Sequence, residues 1–312
     1  MKNDGILIIG GTGFLGGALA QKLYREHAQH GRPIHILARH AEQQSQDMLS
    51  VNRGSLDNTE LVRGLLTQCS TIIHAASTTT PGVSARQPTL EASQNILPTL
   101  RFLELLNDCG PKQLIFFSSG GTFYGTPEIS PVSENTPFAP HSYYGAGKVA
   151  IEAFLHAYQI QTGSQVVILR PSNVYGSGQP YRPGFGIIRT MLEHVLRGSA
   201  LEIWGDGEII RDFLYIDDLV DACIALISHD QVSGSFNLGY GEGHSLNTVI
   251  RTMEAVCATS VKVNYLPARQ LDVARIVLNT DKLRQHIPWN PRISLSEGID
   301  LTWRSLQGQP SQ

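Results

Sequence analysis

The fold is decided by the stretch Ile6-Leu-Ile-Ile-Gly-Gly-Thr-Gly-Phe-Leu-Gly-Gly17. Ile6 to Ile9 form an unbroken apolar run, which is typical of a strand covered on both faces. Glycine then recurs every third residue, at Gly10, Gly13 and Gly16. Gly10 would allow a tight turn out of the strand, Gly13 the close approach of a pyrophosphate, and Gly16 the close packing of a helix on the sheet. The pattern predicts a strand, a phosphate-binding turn and a helix, in that order.

A helix that starts at such a turn points unpaired N–H groups and a partial positive charge at an anion. Glycines also mark ordinary tight turns, so the strand before them and the helical spacing after them are what favour a dinucleotide site. The residues of this stretch expected to contact the cofactor are Gly10, Thr12, Gly13, Phe14, Leu15 and Gly16.

The composition is that of an ordinary globular protein. The chain has 312 residues, of which 41% are hydrophobic and 16% charged, with a formal net charge of -3, so no nucleic-acid or membrane partner is expected. We expect no secretory signal, and no apolar run reaches the roughly 20 residues of a membrane-spanning helix. The four cysteines are far apart and form no CxxC pair, which argues against a metal site and a disulfide frame. A cytoplasmic location is therefore expected.

The end of the second predicted strand, residues 33–37, indicates which dinucleotide is bound. NAD-binding versions of such a fold place an acid near this strand end, where it accepts hydrogen bonds from the adenosine ribose. The nearest acid here is Glu42, whereas Arg39 stands where a cation could meet a 2′-phosphate. NADP(H) is therefore favoured over NAD. Ser55 and Leu56, which follow the next predicted strand, are expected near the adenine.

Small residues end the fourth predicted strand, residues 69–76. Ala75 would let the cofactor cross the sheet edge closely. His74 could be a catalytic base or a hydrogen-bonded structural histidine, and its position at a strand end favours the structural role. Asn95 lies in a helix predicted over residues 89–109, and it could either reach the cofactor or cap a neighbouring element.

A serine pair and a tyrosine–lysine pair follow in the chain. A fifth predicted strand delivers Ser118 and Ser119 to the carboxyl edge of the sheet, where open α/β sheets bind ligands. Beyond a proline-rich loop, Tyr144 and Lys148 are four residues apart and share one face of a helix. A nearby ammonium lowers the pKa of a tyrosine hydroxyl, so we expect Lys148 to lower the pKa of Tyr144. The phenol could then exchange a proton with a sugar or alcohol oxygen while the cofactor moves a hydride.

These motifs resemble the extended short-chain dehydrogenases/reductases, particularly the nucleotide-sugar epimerase, dehydratase and reductase group typified by UDP-galactose 4-epimerase. The resemblance covers nearly the whole chain. It rests on the motifs Gly10-x-x-Gly13-x-x-Gly16, Ser118-Ser119…Tyr124-Gly125, Tyr144-x-x-x-Lys148, Leu169-Arg-Pro-Ser-Asn-Val-Tyr-Gly176 and Arg211-Asp-Phe-Leu-Tyr-Ile-Asp-Asp218.

The resemblance implies an α/β fold with a Rossmann-type doubly wound parallel sheet and a smaller C-terminal substrate-binding lobe. The dinucleotide-binding domain would comprise residues 1–175 and a returning segment at about 209–240, and the nucleotide-sugar lobe residues 176–208 and 241–312. A homodimer through the helices around residues 97–106 and 151–158 is also implied, although core burial would give the same apolar stripes.

The resemblance also implies roles for individual residues near the cofactor. Tyr144 would be the acid/base, and Lys148 would hold the nicotinamide ribose and tune Tyr144. The turn that contains Pro171 would lie beside the nicotinamide.

Other residues would bind the sugar and its diphosphate. A serine or threonine normally stands where this chain has Gly120, so Ser119 or Thr122 would supply that hydroxyl to the substrate. The residues expected to bind the diphosphate are Asn173, Arg211 and Arg269.

Three functions remain open. An NAD(P)H-dependent 4-keto-sugar reductase and a UDP-glucose or UDP-N-acetylglucosamine 4-epimerase share the same hydride chemistry at C4. Arg39 slightly favours the reductase, because a reductase consumes exchangeable NADPH whereas an epimerase regenerates a firmly held cofactor. A non-catalytic dinucleotide sensor would explain Gly120, but it would need neither the tyrosine–lysine pair nor two diphosphate-binding arginines.

Overall fold

The computed structural model describes residues 3–85, 87–182, 184–269 and 273–308. The strands are β1 (Gly5–Ile9), β2 (Ile34–Ala38), β3 (Gln44–Gln46), β4 (Leu49–Arg53), β5 (Cys69–His74), β6 (Gln113–Phe117), β7 (Gln165–Pro171), β8 (Asn173–Tyr175), β9 (Leu201–Trp204), β10 (Ile210–Tyr215), β11 (Gly234–Leu238), β12 (Gly243–Ser245), β13 (Val263–Leu266) and β14 (Arg275–Ile276). The helices are α1 (Phe14–Arg25), α2 (His27–His30), α3 (Thr59–Gln68), α4 (Pro81–Ser84), α5 (Pro88–Glu91), α6 (Leu97–Asn107), α7 (Tyr143–Thr162), α8 (Ile187–Arg197), α9 (Ile216–Ser228), α10 (Leu246–Cys257), α11 (Asp281–His286) and α12 (Leu295–Gln307).

The largest sheet within the described residues has eight strands in the order β11-β7-β6-β5-β1-β2-β4-β3. The chain starts at β1, winds outward through β2 and β4, and then returns to build β5, β6 and β7 on the other side. These six strands pair in parallel, whereas β3 runs antiparallel to β4. The expected doubly wound, Rossmann-type sheet is thus confirmed, and its order reverses between β1 and β5, where such sheets bind ligands.

Burial explains why β1 lies at the centre of this sheet. All five of its residues are buried, as the apolar run predicts. α1 buries Leu19 and Leu23, one turn apart on its inner face. On the core side, Leu7 and Ile9 join a cluster with side chains from α3, α6 and α7. This packing fixes the carboxyl ends of the strands, so the loops that follow them have a rigid base.

The helical stretch expected over residues 89–109 is present, and it contains one π-helical turn. α5 ends at Glu91, a π-helical segment spans Ala92–Ile96, and α6 begins at Leu97. Pro98 explains the wider turn, because it has no N–H to donate to the carbonyl four residues earlier. The π-helical segment shifts the side chains around Glu91 relative to those of α6.

The chain forms two compact units. The first comprises the described parts of 1–119, 142–170 and 220–236, and the second those of 120–141, 171–219 and 237–312. The second unit contains a sheet in the order β12-β10-β14, with β8 paired to β10, and a parallel pair of β9 and β13. Asp218, in the first turn of α9, accepts the backbone N–H groups of Arg292 and Ile293 at 2.9 and 3.0 Å. None of the helices in the described ranges is both long and apolar enough to cross a membrane.

Candidate active site

The first glycine turn is held together by backbone contacts that leave no room for side chains. Gly10 has a φ of 83°, and a Cβ there would lie 2.8 Å from the backbone of Ala76. A Cβ on Gly16 would lie 2.5 Å from the carbonyl oxygen of Gly10. Gly16 therefore lets α1 close onto the turn itself, rather than onto the sheet as expected. Both positions require glycine.

The N-terminus of α1 is open to an anion. Gly13 is the N-cap residue, in an extended conformation, and it provides no side-chain cap. The first turn of α1 carries no acidic residue. Thr12 and Gly13 are exposed, and Phe14 and Leu15 are half-buried. Backbone N–H groups with a partial positive charge and a cradle that any Cβ would fill are what a pyrophosphate needs, so these residues fit a dinucleotide.

Two arginines stand at the next strand ends. Arg39 directly follows β2, is exposed, and makes no hydrogen bond or ion pair with the described part of the chain. Arg53 ends β4, is also exposed, and its Cα pairs with that of Ala38. The sequence analysis did not single out Arg53, although it lies two residues before Ser55, which was expected near the adenine. Sheet register brings the two arginines to adjoining strand ends.

The residues expected near the adenine have different environments. The Ser55 hydroxyl accepts the N–H of Asp57 at 3.2 Å and so shapes its own turn. Leu56 is 9% exposed and belongs to the hydrophobic core. Ala75, at the end of β5, is half-buried and donates its N–H to Ile9 at 2.9 Å. Of these three, Ser55 and Ala75 remain accessible at the carboxyl edge of the sheet.

His74 is a buried and neutral side chain. It packs edge-on against Phe102 and Phe116, with ring centroids 5.9 and 5.4 Å apart. Burial, and then the charge of Lys148, lower the pKa of His74 to about 3. Neither ring nitrogen has a hydrogen-bond partner among the described residues, so the expected hydrogen bond is wrong. The structural role stands, because a histidine with this pKa cannot take up a proton near neutral pH.

Tyr144 and Lys148 lie on the first turns of α7. The helix starts where the Ser142 hydroxyl accepts the N–H of Gly145 at 3.1 Å. Lys148 is 4% exposed and donates from Nζ to the carbonyl oxygen of Phe117 at 2.8 Å. Its Nζ lies 5.8 Å from the centroid of the Tyr144 ring. β6 and α7 together therefore bring the ammonium beside the phenol ring.

The pKa values of this pair are set mainly by burial. Burial lowers the pKa of Lys148 to about 8, although Glu91 and Glu152 act in the opposite direction. Burial raises the pKa of Tyr144 to about 12, and Glu91 adds to this, while a hydrogen bond with Ser77 opposes it. The expected depression of the Tyr144 pKa by Lys148 is therefore wrong. At neutral pH the phenol holds its proton.

The serine pair divides into a structural and an accessible residue. Ser118 is buried, and its hydroxyl donates to the carboxylate of Glu152. That carboxylate is also paired with Arg170, with 2.6 Å between Nη2 and Oε2. Ser119, the next residue, is half-buried. Thr122 belongs to the second unit, where it too is half-buried.

A buried acid beside α7 was missed from the sequence. Glu91 is 3% exposed and accepts from the hydroxyl of Thr79 at 2.5 Å and from the amide of Asn95 at 2.8 Å. Asn95 also accepts the N–H of Thr78 at 3.0 Å. The amide therefore links the segment after β5 to the π-helical segment. A glutamate just after Pro88 gives the sequence pattern of an ordinary first helical turn, so no signal marks it.

The second unit carries the residues expected to bind the diphosphate. Asn173 lies on β8 and donates from its amide to the carbonyl oxygen of Asp212 at 3.0 Å. Arg211 is half-buried on the neighbouring β10, and one guanidinium nitrogen bonds the carbonyl of Ile210 at 2.8 Å. Arg269 is exposed and stacks on Trp204, 4.0 Å from the ring centroid. Gln270, Leu271 and Asp272, which follow Arg269, lie outside the described residues.

Pro171 ends β7, is buried, and accepts the N–H of Gly120 at 2.7 Å. This bond places the glycine that replaces the usual hydroxyl residue against the end of a strand. Gly121, which follows it, would bring a Cβ within 4.0 Å of the Asn173 amide oxygen. Gly121 thus lies next to Asn173 without a side chain of its own.

Asp212 fixes the backbone around this region. Its carboxylate accepts the N–H groups of Tyr240, Gly241 and Leu278 at 2.9, 3.2 and 3.2 Å. Burial nevertheless raises the pKa of Asp212 to about 6. Asp212 therefore stabilises the backbone of the segments around it. Arg211, the preceding residue, is half-buried.

Comparison with known proteins agrees with this geometry. Residues 6–239 match the NAD dependent epimerase/dehydratase family. The UDP-glucose 4-epimerase of Mycolicibacterium smegmatis is 29% identical over 95% of this chain and 96% of that protein. The dTDP-4-dehydro-6-deoxyglucose reductase of Escherichia coli is 27% identical over 98% of each chain.

A solved structure shows the same architecture. The UDP-glucose 4-epimerase of Thermotoga maritima, with UDP-glucose, matches with a TM-score of 0.87 at 28% identity, over 97% of this chain and 98% of that one. The family match covers most of the chain and includes the glycine turn and the tyrosine–lysine pair. The chain therefore belongs to the NAD dependent epimerase/dehydratase family and is an enzyme of the extended short-chain dehydrogenase/reductase type.

Proposed function

We propose that this enzyme reduces the keto group at C4 of a nucleoside diphosphate 4-keto-(6-deoxy)hexose, with NADPH preferred over NADH. The observation that carries the proposal is Arg39, an exposed cation with no partner in the described chain at the end of β2. Arg53 adds a second cation at the adjoining strand end. A phosphate on the adenosine ribose suits two guanidinium groups, whereas a free ribose is usually held by an acid.

The relation between cofactor and reaction supports the reductase. A reductase uses one hydride per turnover and must exchange its dinucleotide, while an epimerase regenerates a bound one within each cycle. The E. coli relative, named as a reductase of a dTDP-linked 4-keto sugar, is compatible with this reaction.

Tyr144 is the proposed proton donor. Bound NADPH would supply the hydride to C4. Tyr144 would donate its phenolic proton to O4, which gains negative charge as the C4 carbonyl is reduced. Because the pKa of Tyr144 is raised to about 12, the phenol is protonated at neutral pH, as a donor must be. Lys148 would stabilise the resulting phenolate and hold the nicotinamide ribose.

Hydroxyl and diphosphate binding are assigned to the remaining residues. Ser119 or Thr122 would hydrogen-bond O4 in place of the residue missing at Gly120. Asn173 and the two arginines would bind the diphosphate through amide and guanidinium donors. The arginines are Arg211 and Arg269.

A 4-epimerase is the second candidate. The M. smegmatis and T. maritima proteins are named UDP-glucose 4-epimerases, and they resemble this chain over nearly its whole length. In that case Tyr144 would first have to accept a proton from the C4 hydroxyl. That step needs the phenolate form of Tyr144, whereas burial favours the phenol in the protein without its cofactor.

Product analysis separates the candidates. The enzyme is incubated with UDP-glucose, UDP-N-acetylglucosamine and a dTDP-4-keto-6-deoxyhexose, each with and without NADPH or NADH. We expect NADPH oxidation only with the keto sugar, and weaker activity with NADH. Epimerisation without added cofactor would overturn the reductase. Dinucleotide binding without turnover of a wider panel would instead favour a sensor.

We also infer a homodimer in the cytoplasm. Most of the apolar stripe of α6 and α7, including Leu103 and Ile151, is buried in the core of its own chain. Leu97 and Phe154 remain 43% and 47% exposed on these helices, which supports a dimer contact. The four free cysteines suit a reducing compartment. Light scattering that gives the mass of one chain would contradict the dimer.

A further inference from the structure

Glu91 is packed directly against the helix turn that separates Tyr144 from Lys148. A Cβ built on Gly147 would lie 2.3 Å from Cγ and 2.8 Å from Oε1 of Glu91. Because Gly147 has no side chain, Glu91 can pack directly against α7 at this position. Glu91 as a whole is 3% exposed, so its carboxyl group is removed from bulk solvent.

The hydrogen bonds of Glu91 suit a carboxylate ion. One oxygen accepts from the Thr79 hydroxyl and the other from the Asn95 amide. A carboxylate can only accept, and here each oxygen has a donor. The Asn95 amide also donates to the Thr79 hydroxyl at 2.8 Å. The three side chains form a closed network that fixes the charge beside α7.

Other charged or titratable groups near Lys148 are already engaged. Glu152 forms an ion pair with Arg170 and accepts a hydrogen bond from Ser118, so its negative charge is balanced by the guanidinium. His74, on β5, is neutral because burial lowers its pKa to about 3. Glu91 is thus the carboxylate near Lys148 with no cationic partner within the described residues.

We propose that Glu91 is a positioning residue of the active site, whose buried carboxylate keeps the proton on both Lys148 and Tyr144. An anion at this place stabilises the ammonium and disfavours the phenolate. The pair is then held as ammonium and phenol, the state that can donate a proton to a developing alkoxide. The direction of catalysis rests on the proposed reductase function, but the electrostatic effect does not.

Direct titration of Lys148 tests this proposal without substrate. Protein labelled with ¹³C-lysine is followed by NMR from pH 6 to 10, with the Lys148 signal assigned from a Lys148→Arg variant. In the wild-type protein we expect Lys148 to titrate with a midpoint near pH 8, because burial lowers the pKa of Lys148 to about 8. In Glu91→Gln the midpoint should move about one pH unit lower, because the amide has no charge. Glu91→Asp, which keeps the charge, should recover part of the shift.

The matched control is Glu104→Gln, which removes an exposed glutamate on α6 and should leave the Lys148 midpoint unchanged. The alkaline limb of the kcat/KM profile for keto-sugar reduction should move in parallel with the midpoint. A shifted midpoint in an enzyme that reduces no keto sugar would retain Glu91 and reject the reductase. An unshifted midpoint in folded Glu91→Gln protein would overturn the proposal.

A second variant keeps the test decisive if Glu91→Gln does not fold. Gly147→Ala leaves Glu91 in the chain but pushes its carboxylate away from α7. We expect a smaller fall of the Lys148 midpoint in the same direction. Gly64→Ala on α3, where a Cβ would meet nothing within 4 Å, is the control. Equal midpoints in Gly147→Ala and Gly64→Ala would contradict the role of Glu91.

Discussion

The glycine turn and the Tyr144–Lys148 pair lie in the same compact unit, but they are determined in different ways. The turn is shaped by backbone contacts, because a Cβ on Gly16 would meet the carbonyl of Gly10 and a Cβ on Gly10 would meet the backbone of Ala76. The chemistry of the pair depends on burial and on Glu91, which precedes Tyr144 by more than fifty residues in the chain. The shape of the turn therefore follows from glycine backbone that the sequence pattern marks, whereas the proton affinity of the pair depends on a distant side chain that no pattern marks.

The largest effect is expected from removal of the phenol. Tyr144→Phe should lower kcat by roughly 10²–10⁴, because it deletes a general acid, while dinucleotide affinity stays near wild type. Steady-state kinetics and dinucleotide titration measure the two effects. Tyr143→Phe is the control, since Tyr143 is the preceding residue and 48% exposed. Full activity in Tyr144→Phe would remove the acid/base assignment and leave only the turn as a functional element.

Substitution in the turn should have the opposite signature. Gly10→Ala combines a positive φ with a backbone clash, which costs roughly 1–3 kcal/mol. We expect dinucleotide affinity and thermal stability to fall together. Gly17→Ala provides the comparison, because its Cβ would lie 3.5 Å from the nearest atom, and that variant should bind normally. Equal behaviour of the two variants would show that the turn is less constrained than its contacts indicate.

Arg39 offers the smallest and most selective effect. Arg39→Ala should raise the KM for NADPH by about tenfold, since one exposed charged hydrogen bond contributes about 1.5 kcal/mol, the lower end of its usual range. The KM for NADH should be unchanged. Arg25→Ala, at an exposed arginine of α1, should alter neither value. Equal losses with NADPH and NADH would place Arg39 away from the 2′-phosphate.

The local part of the fold could be predicted from the sequence. The apolar run before Gly10 and the glycine spacing predict β1, the turn and α1, and all three are present. The π-helical segment has only five residues, so the apolar spacing of the helix around it did not reveal it. Pro98, which has no N–H to donate, was the available signal for this wider turn.

The electrostatic part of the site could not be predicted in this way. Spacing shows that Tyr144 and Lys148 share a helix face, but it does not show how deeply they are buried. The direction of the Tyr144 pKa was wrong for that reason. Glu91 is near this pair only because the chain folds it against Gly147, and no pattern in the sequence relates the two.

The most direct test of the proposed function is to trace the hydride. The enzyme is supplied with NADPH that carries deuterium at the transferable C4 position and with a dTDP-4-keto-6-deoxyhexose, and the sugar product is analysed by NMR and mass spectrometry. We predict one deuterium at C4 of the sugar for each NADPH oxidised. Keto sugar recovered unchanged while no NADPH is consumed, or NADPH consumed without deuterium at C4 of the sugar, would contradict the reductase assignment.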